Sequence, residues 1–498
     1  MKKVSLHGQL TFDEMKGSLE RLPKINRWVQ MGDSLPWTEY EKVYNKQLKN
    51  DTVGAFNRPG RMVVAALIIK HKLGLSDEET ILAIQENPYM QYMCGLTEYS
   101  DRPIFDPSLF TTIRKRITID DINALTLELA RKARDRNERE DKGKDDDGSN
   151  PPADTTQLTD VNADAEIRYP TDLDLIEDGS KYMNRMIDKV CGMKKMRRPA
   201  GVERQRIRAI YLNVIKRKHK GARLIKDAIT RMLPLLYRDI LTLINLIGVD
   251  DETYGRFNRT QKRTIQAVID MYHQQETMLR LGTHTCEDRI VSIHQPHVRP
   301  IVCGKAKAKV EFGAKIGVSI VSGYSFIDHH SWDAYNEASD LAIHIEKYKE
   351  RFGSEPKRFF GDKIYLNRDN RKILKEKGIE IMGRQLGRPP KDPSQEQLER
   401  ERIGVSFRNE AEAQFGTGKR IYRANDIRAR LPETARCWTA MCYFVKNLAK
   451  FMRELCLVLI EIYVRIRHLG AEYVNPSTKL RETSWEEYPF PLCGTQTF

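Results

Sequence analysis

The chain has 498 residues, with 84 lysines and arginines against 69 aspartates and glutamates, a formal charge of +15. Its 40% apolar and 31% charged composition excludes a wholly disordered or collagen-like chain, and at roughly 150 residues per unit the length suggests about three structural units. The longest apolar stretch near the C-terminus, Leu455 to Val464, is broken by Glu461 and falls short of the ~20 residues a bilayer needs, while the opening MKKVSLHGQLTFDEM lacks the apolar run of a secretory signal; the expectation is a cytoplasmic protein with no membrane partner.

In chain order, residues 1–134 read as helical. Arg61 to Leu73 forms a compact apolar helix, and Ser76 with Glu79 supplies a capping box for a helix from Asp77 to about Gln85. Asp106-Pro107 reads as an N-cap followed by proline at the first helical position, opening a helix that carries Arg114, Lys115 and Arg116. Short helices with a basic last member are compatible with a helix-turn-helix-like DNA binder. Arg136 to Asp154 (RNEREDKGKDDDGSNPPAD) is almost purely polar, so 135–154 is expected to be an acidic flexible linker. Gln157 to Val161 reads as a short strand, and Met183 to about Leu281 as helical. Period-two patterning at Val310–Val321 and Tyr324–Ile327 predicts a hairpin around Ser322-Gly323. An amphipathic helix over Asp340–Phe352, a strand Lys357–Gly361 ending at Asp362, a helix Asn367–Lys377 and a strand Ile379–Met382 follow. A helix through Arg408–Phe415 and a long helix from about Glu433 to Arg467 complete the pattern. This is a mixed α/β layout, one sheet covered by helices.

Charge is concentrated. Between Lys194 and Lys226 there are thirteen basic residues against one acid, Glu203, a surface that attracts a polyanion with salt-dependent affinity. No bulky apolar face accompanies the run, which argues against a membrane surface. Gly383 to Lys391 forms a second basic loop suited to a DNA backbone or minor groove. Trp332 reads either as a core residue or as a ring for stacking on an extruded base. The eight cysteines include no C-x-x-C pair, and His284, Cys286, His294 and His297 match no zinc spacing, so neither a disulfide scaffold nor a zinc module is expected.

Three acids stand out. Asp160 interrupts a strand-like segment, Asp362 closes an apolar strand, and Glu412 lies in a helix beside basic residues. Each alone reads as a cap, a turn residue or a surface ion pair. Together, acids that converge from distant positions can hold divalent ions, and hard oxygen ligands suit Mg²⁺.

Arg408-x-x-x-Glu412-x-x-x-x-x-x-Lys419, within SFRNEAEAQFGTGKR, is similar to the Y-x-x-R-x-x-x-E-x-x-x-x-x-x-K signature of prokaryotic insertion-sequence DDE transposases. GDKIYLNRDNRKILKEKGIEI at 361–381 resembles that family's second-aspartate block, EIRYPTDLDLI at 166–176 the segment after its first aspartate, and RPIFDPSLFTTIRKRI at 102–117 its N-terminal helical domain. Two departures stand beside the match. Val405 occupies the tyrosine position, and the first-aspartate block, TDVNADAEIRYPTD, is irregular. Asp160 is preferred there because it lies in QLTDV, whereas Asp154 falls in the linker and Asp164 beyond the expected strand.

The resemblance implies an α/β fold, an RNase H-like mixed sheet with a helical insertion at about 183–285, within a catalytic domain at 155–470. An all-α N-terminal domain, the expected seat of DNA binding, precedes it, and a tail at 471–498 follows. Asp160, Asp362 and Glu412 would ligate Mg²⁺, with Mn²⁺ as a substitute, and Arg408 and Lys419 would bind phosphate or stabilise transition-state charge. The implied partners are double-stranded DNA (element ends and target) and further copies of the chain, as a homodimer or higher assembly on nucleoid DNA. Cleavage of the ends would be followed by strand transfer. The rivals are a catalytically decayed or repurposed DNA-binding protein of the same fold and a nuclease without joining activity.

Overall fold

The computed structural model describes residues 17–46, 57–140, 155–199, 205–248, 251–302, 310–382 and 394–473. Most of the expected linker, the basic loop at 383–391 and the tail from 474 lie outside them, and among the described residues no helix is long and apolar enough to cross a membrane.

Among the described residues seven helices come first: α1 (Arg27–Ser34), α2 (Trp37–Asn45), α3 (Gly60–Leu73), α4 (Asp77–Glu86), α5 (Pro88–Met93), α6 (Leu109–Arg116) and α7 (Ile119–Glu140). The segment Val63–Ile69 of α3 is apolar on every side and correspondingly buried on every side. Gly74, at φ +68°, ends α3 in the left-handed region, and the capping box then starts α4, Ser76 Oγ accepting from Glu79 N (3.1 Å) and Glu79 Oε2 from Ser76 N (2.8 Å). The structure corrects the start of α6. Asp106 does not cap it; its Oδ1 accepts from Ser108 N at 2.9 Å within a preceding turn, and the helix begins at Leu109.

Arg114 of α6 is buried. In the folded chain it is 6% exposed, forked onto Asp77 through Nη1–Oδ1 (2.8 Å) and Nη2–Oδ2 (2.6 Å). Buried Lys70 completes the cluster, its Nζ lying 2.9 Å from Asp77 Oδ1, and both cations sit over the Trp438 ring. Arg114 therefore ties α6 to α4 and is not available to a ligand.

Strand β1 (Thr155–Asp164) is longer than QLTDV and includes Asp164 as its last residue, because Asn162 to Asp164 pair with Gly313 to Lys315 of a neighbouring strand. The helical insertion follows as α8 (Asp172–Met193), α9 (Arg206–Ile215), α10 (Ala222–Ile247), α11 (Asp251–Gly255) and α12 (Arg259–Leu281). It starts eleven positions before Met183, since Thr171 Oγ1 accepts from Asp174 N (3.2 Å) and the helical spacing of buried Leu173, Ile176, Met183, Ile187 and Val190 runs unbroken from there. These helices have a core of their own, centred on Met183, Ile187, Met232, Leu236, Val268 and Met271.

The remaining strands are β2 (Arg299–Val302), β3 (Val310–Val321), β4 (Tyr324–Ser331), β5 (Arg358–Gly361) and β6 (Glu380–Met382). β2 and β4 pair antiparallel with successive stretches of one edge of β3, β3 is antiparallel to β1 along its other edge, β1 is parallel to β5, and β5 is parallel to β6. The β3–β4 turn has Ser322 at φ 50° and Gly323 at φ 74°, the positive pair that a two-residue hairpin requires. Helices α13 (Leu341–Phe352), α14 (Arg368–Glu376), α15 (Gln395–Arg420) and α16 (Pro432–Tyr473) complete the chain.

Strand alternation gives the sheet two apolar faces. Ile316, Val318, Ile320 and Phe326 join α16 (Phe444, Leu448, Phe451) and the N-terminal helices in one core, whereas Leu158 and Phe359 pack with Leu341, Ile345 and Leu374 of α13 and α14. The outer edge of β4 is satisfied by two amides. Asn123 of α7 exchanges hydrogen bonds with Ile327 (2.7 and 3.1 Å), and Asn447 of α16 with Ser325 (2.7 and 2.9 Å). Side chains thus replace a missing strand.

Candidate active site

Asp160 lies midway along β1, opposite Gly317 of β3. A Cβ at position 317 would stand 2.8 Å from His344 Nε2 and 2.9 Å from Asp160 Oδ1, so only glycine leaves room for both. Asp160 Oδ1 accepts from the Tyr335 hydroxyl at 3.2 Å, and its Oδ2 is buried without a hydrogen-bond partner. Burial pushes this carboxyl up to about 6, the Tyr365 hydroxyl pulls the other way, and Asp340 and Glu337 add repulsion. The same burial, with the Asp160 charge beside them, keeps the Tyr335 and Tyr365 phenols protonated.

Asp362 follows β5 directly; its carbonyl accepts from Tyr365 N (3.0 Å), turning the chain into the 3-10 turn Lys363–Leu366. Glu412 stands on α15, a helix started by a Ser394–Gln397 capping box. Arg408 and Glu412, four residues apart, share a helix face and pair at 3.3 Å (Nε to Oε1), with Lys419 two turns further on. The Arg408–Glu412 pair is solvent-facing, at 59% and 66% exposure. Asp160, Asp362, Glu412, Arg408 and Lys419 all line one cleft of about 640 Å³ between β1, β5 and α15, and Val405, in the tyrosine position of the signature, lines it too.

The five residues share a cleft, but the carboxylates do not form a tight trio. Gln157 reaches α15, its Nε2 donating to the Phe407 carbonyl, whereas Asp160, three residues on, points toward the opposite face. Among the described residues, the group of acid and imidazole ligand atoms lying within 4.8 Å of one another is Asp160, Asp340 and His344. Neither Asp340 nor His344 is prominent in the sequence; the signal was their four-residue spacing at the start of an amphipathic helix, which places both over β1. Trp332 packs on the main core between the His297 and His330 rings, with centroids 4.4 and 5.1 Å away. In the basic run, Arg208 pairs with Glu177 and Arg198 with Asp188, while Lys216, Arg217, Lys218 and Lys220 are exposed at the turn from α9 to α10.

Comparison with known proteins gives two family matches. A family described as "Transposase domain (DUF772)" matches residues 18–116, and one described as "Transposase DDE domain" matches 359–449, a stretch that contains Asp362, Arg408, Glu412 and Lys419 but not Asp160. The "Uncharacterized protein ORF8 in nfe locus" of Rhizobium meliloti is 31% identical over 96 residues, covering 18% of this chain and 42% of that protein. The chain thus spans less than half the length of that relative. No solved structure matches. With a transposase-domain match over its N-terminal helices and a transposase DDE-domain match running from β5 into α16, the chain is similar to the insertion-sequence DDE transposases.

Proposed function

We propose that the chain binds the terminal inverted repeats of its element and catalyses metal-dependent DNA cleavage and strand transfer. The observation that carries this reading is the single cleft into which β1, β5 and α15 bring Asp160, Asp362, Glu412, Arg408 and Lys419. A sheet whose antiparallel strands β2, β3 and β4 sit on one side of β1 and parallel β5 and β6 on the other supports an RNase H-like catalytic domain, with α8–α12 as its insertion.

The donor set fits a divalent ion, since the carboxylates of Asp160, Asp362 and Glu412, with that of Glu401, border the cleft and Asp160 Oδ2 is buried. A bound Mg²⁺ or Mn²⁺ would supply Lewis-acid stabilisation of oxygen charge at phosphorus. Asp160, Asp362 and Glu412 are the proposed ligands. Arg408 and Lys419 hold the scissile phosphate, and a phosphate competing for Arg408 frees the Glu412 carboxylate for the cleft. Double-stranded DNA lies along the cleft, with Lys216, Arg217, Lys218 and Lys220 following its backbone. Joining two ends calls for a dimer or higher assembly on DNA.

The placement of Asp160 beside Asp340 and His344 rather than beside Glu412 favours a second reading, a DNA-binding relic without cleavage. Oligonucleotides carrying the element ends with a pre-formed 3′-hydroxyl, incubated with target plasmid and Mg²⁺, separate the readings. Covalent joining to the plasmid supports the transposase, cleavage of uncut ends without joining identifies a nuclease, and retention in a gel shift with neither product identifies the relic.

A further inference from the structure

His344 stands in the first turn of α13, four residues after Asp340, so both side chains face β1. Its ring is 4% exposed, and its Nδ1 lies 2.5 Å from Oδ2 of Asp328, which is wholly buried and also held by Arg351. Arg351 is the buried counter-charge of that carboxylate. An ionised carboxylate only accepts, so the imidazole carries its proton on Nδ1 and turns the lone pair of Nε2 away from Asp328. That Nε2 is buried and has no hydrogen-bond partner. Across Gly317 stands the Asp160 carboxylate, its Oδ1 taking the Tyr335 hydroxyl and its Oδ2 buried.

A buried imidazole lone pair that no donor meets, set beside a carboxylate, is unfavourable unless a cation or proton fills the space between them. The third wall is Asp340, whose Oδ2 is fixed by His329 Nδ1 at 2.6 Å. Ligand atoms of Asp160, Asp340 and His344 all fall within 4.8 Å of one another. Each outer partner (Asp328 on His344, His329 on Asp340) orients a ligand as the outer shell of a metal centre does.

We propose that Asp160, Asp340 and His344 bind a divalent transition-metal ion, through two carboxylates and the His344 Nε2. A nitrogen ligand favours Mn²⁺ or Zn²⁺ over Mg²⁺, which prefers an all-oxygen shell. The inference rests on the proposed transposase reading only in that Asp160 borders both the cleft and this site. An ion here holds the Asp160 carboxylate from the side opposite α15 and sets its orientation toward the cleft.

The test is Mn²⁺ binding to the full chain, followed by electron paramagnetic resonance with detection of ¹⁴N coupling from a coordinated imidazole. Wild type is expected to bind one nitrogen-coupled Mn²⁺, and Asp362→Ala and Glu412→Gln to retain it. His344→Gln, which keeps a hydrogen-bonding group for Asp328, is expected to lose the nitrogen coupling and to bind at least ~10-fold more weakly. Wild type without nitrogen coupling, or coupling that persists in His344→Gln, overturns the proposal. Should His344→Gln lose its native circular dichroism, Asp340→Asn decides the matter. It is expected to bind Mn²⁺ about 10-fold more weakly with the coupling intact, and unchanged affinity overturns the site. Nitrogen-coupled Mn²⁺ in a chain that neither cleaves nor joins DNA would leave this site standing and sink the transposase reading. DNA cleavage with nitrogen-free Mn²⁺ would do the reverse.

Discussion

Replacing Asp77 by alanine tests what the structure says of the basic residues on α6. Asp77 receives two hydrogen bonds from Arg114 and an ion pair from Lys70, and the two cations are 6% and 2% exposed. Burial works against the Asp77 carboxylate, yet Arg114 and Lys70 hold it below its usual range. Asp77→Ala leaves two guanidinium and ammonium charges in a pocket walled by Phe110 and Trp438 with no counter-ion. Removing one partner of a buried pair costs about 3–5 kcal/mol, and two stranded cations put this variant at the upper end. The Trp438 ring over both charges makes tryptophan fluorescence in a urea titration a direct reporter, and the transition that contains the α3–α6 core should move to lower urea by ~1–3 M at a slope of about 2 kcal/mol/M. The double variant Asp77→Ala/Lys70→Met should recover part of that loss. A shift equivalent to less than ~1 kcal/mol, the range of exposed pairs, together with weakened DNA binding, would refute the burial argument and return Arg114 to the surface.

Three further outcomes follow from the same packing. Asn447→Ala leaves the N–H and C=O of Ser325 unpaired beside α16; a loss of about 2–4 kcal/mol is expected at roughly 1–2 per unsatisfied group, with faster amide hydrogen exchange at Ser325, and unchanged exchange would mean that the β4 edge is held some other way. Asp160 titrates near 6 against an ordinary value of 3.8, so between about pH 4 and 6 the folded chain keeps a proton that the unfolded chain has released. In the absence of divalent metal, stability therefore falls as pH rises through that window, by at most ~3 kcal/mol, and Asp160→Asn should flatten the dependence; a flat wild-type curve would contradict the burial assigned to this carboxyl. Changing Lys216, Arg217, Lys218 and Lys220 together to alanine should weaken binding of any duplex sequence alike and lower the slope of log K against log salt by about 3–4; an unchanged slope would remove that turn from the DNA path.

The parts of the fold governed by local rules were legible in the chain. Ser76 and Glu79 announce α4, Ser322-Gly323 the β3–β4 turn, and Arg408, Glu412 and Lys419 one face of α15. What failed depends on partners far away in sequence. Asn162–Asp164 look too polar for a strand and become one because Gly313–Lys315 pair with them. Arg114 looks like an outward-facing cation until Asp77 and Lys70 fold onto it. Asp106-Pro107 has the form of a helix start, but its carboxylate is used within the turn before one. The signature motif located the cleft and the residues lining it; the Asp340–His344 pair beside Asp160 was hidden, because only the crossing of α13 over β1 brings it there.

The central claim is that one cleft cuts DNA with three carboxylates drawn from β1, β5 and α15. Cleavage of a supercoiled plasmid bearing the element's flanking DNA, with Mg²⁺ or Mn²⁺ and with wild type beside Asp160→Ala, Asp362→Ala and Glu412→Gln, tests it most directly. Metal-dependent cuts at the element ends are expected, reduced at least ~10²-fold in each variant. Cleavage that survives in Asp160→Ala would contradict the assignment of the first ligand, and salt-sensitive binding with no cleavage by any of the four proteins would contradict the enzyme itself.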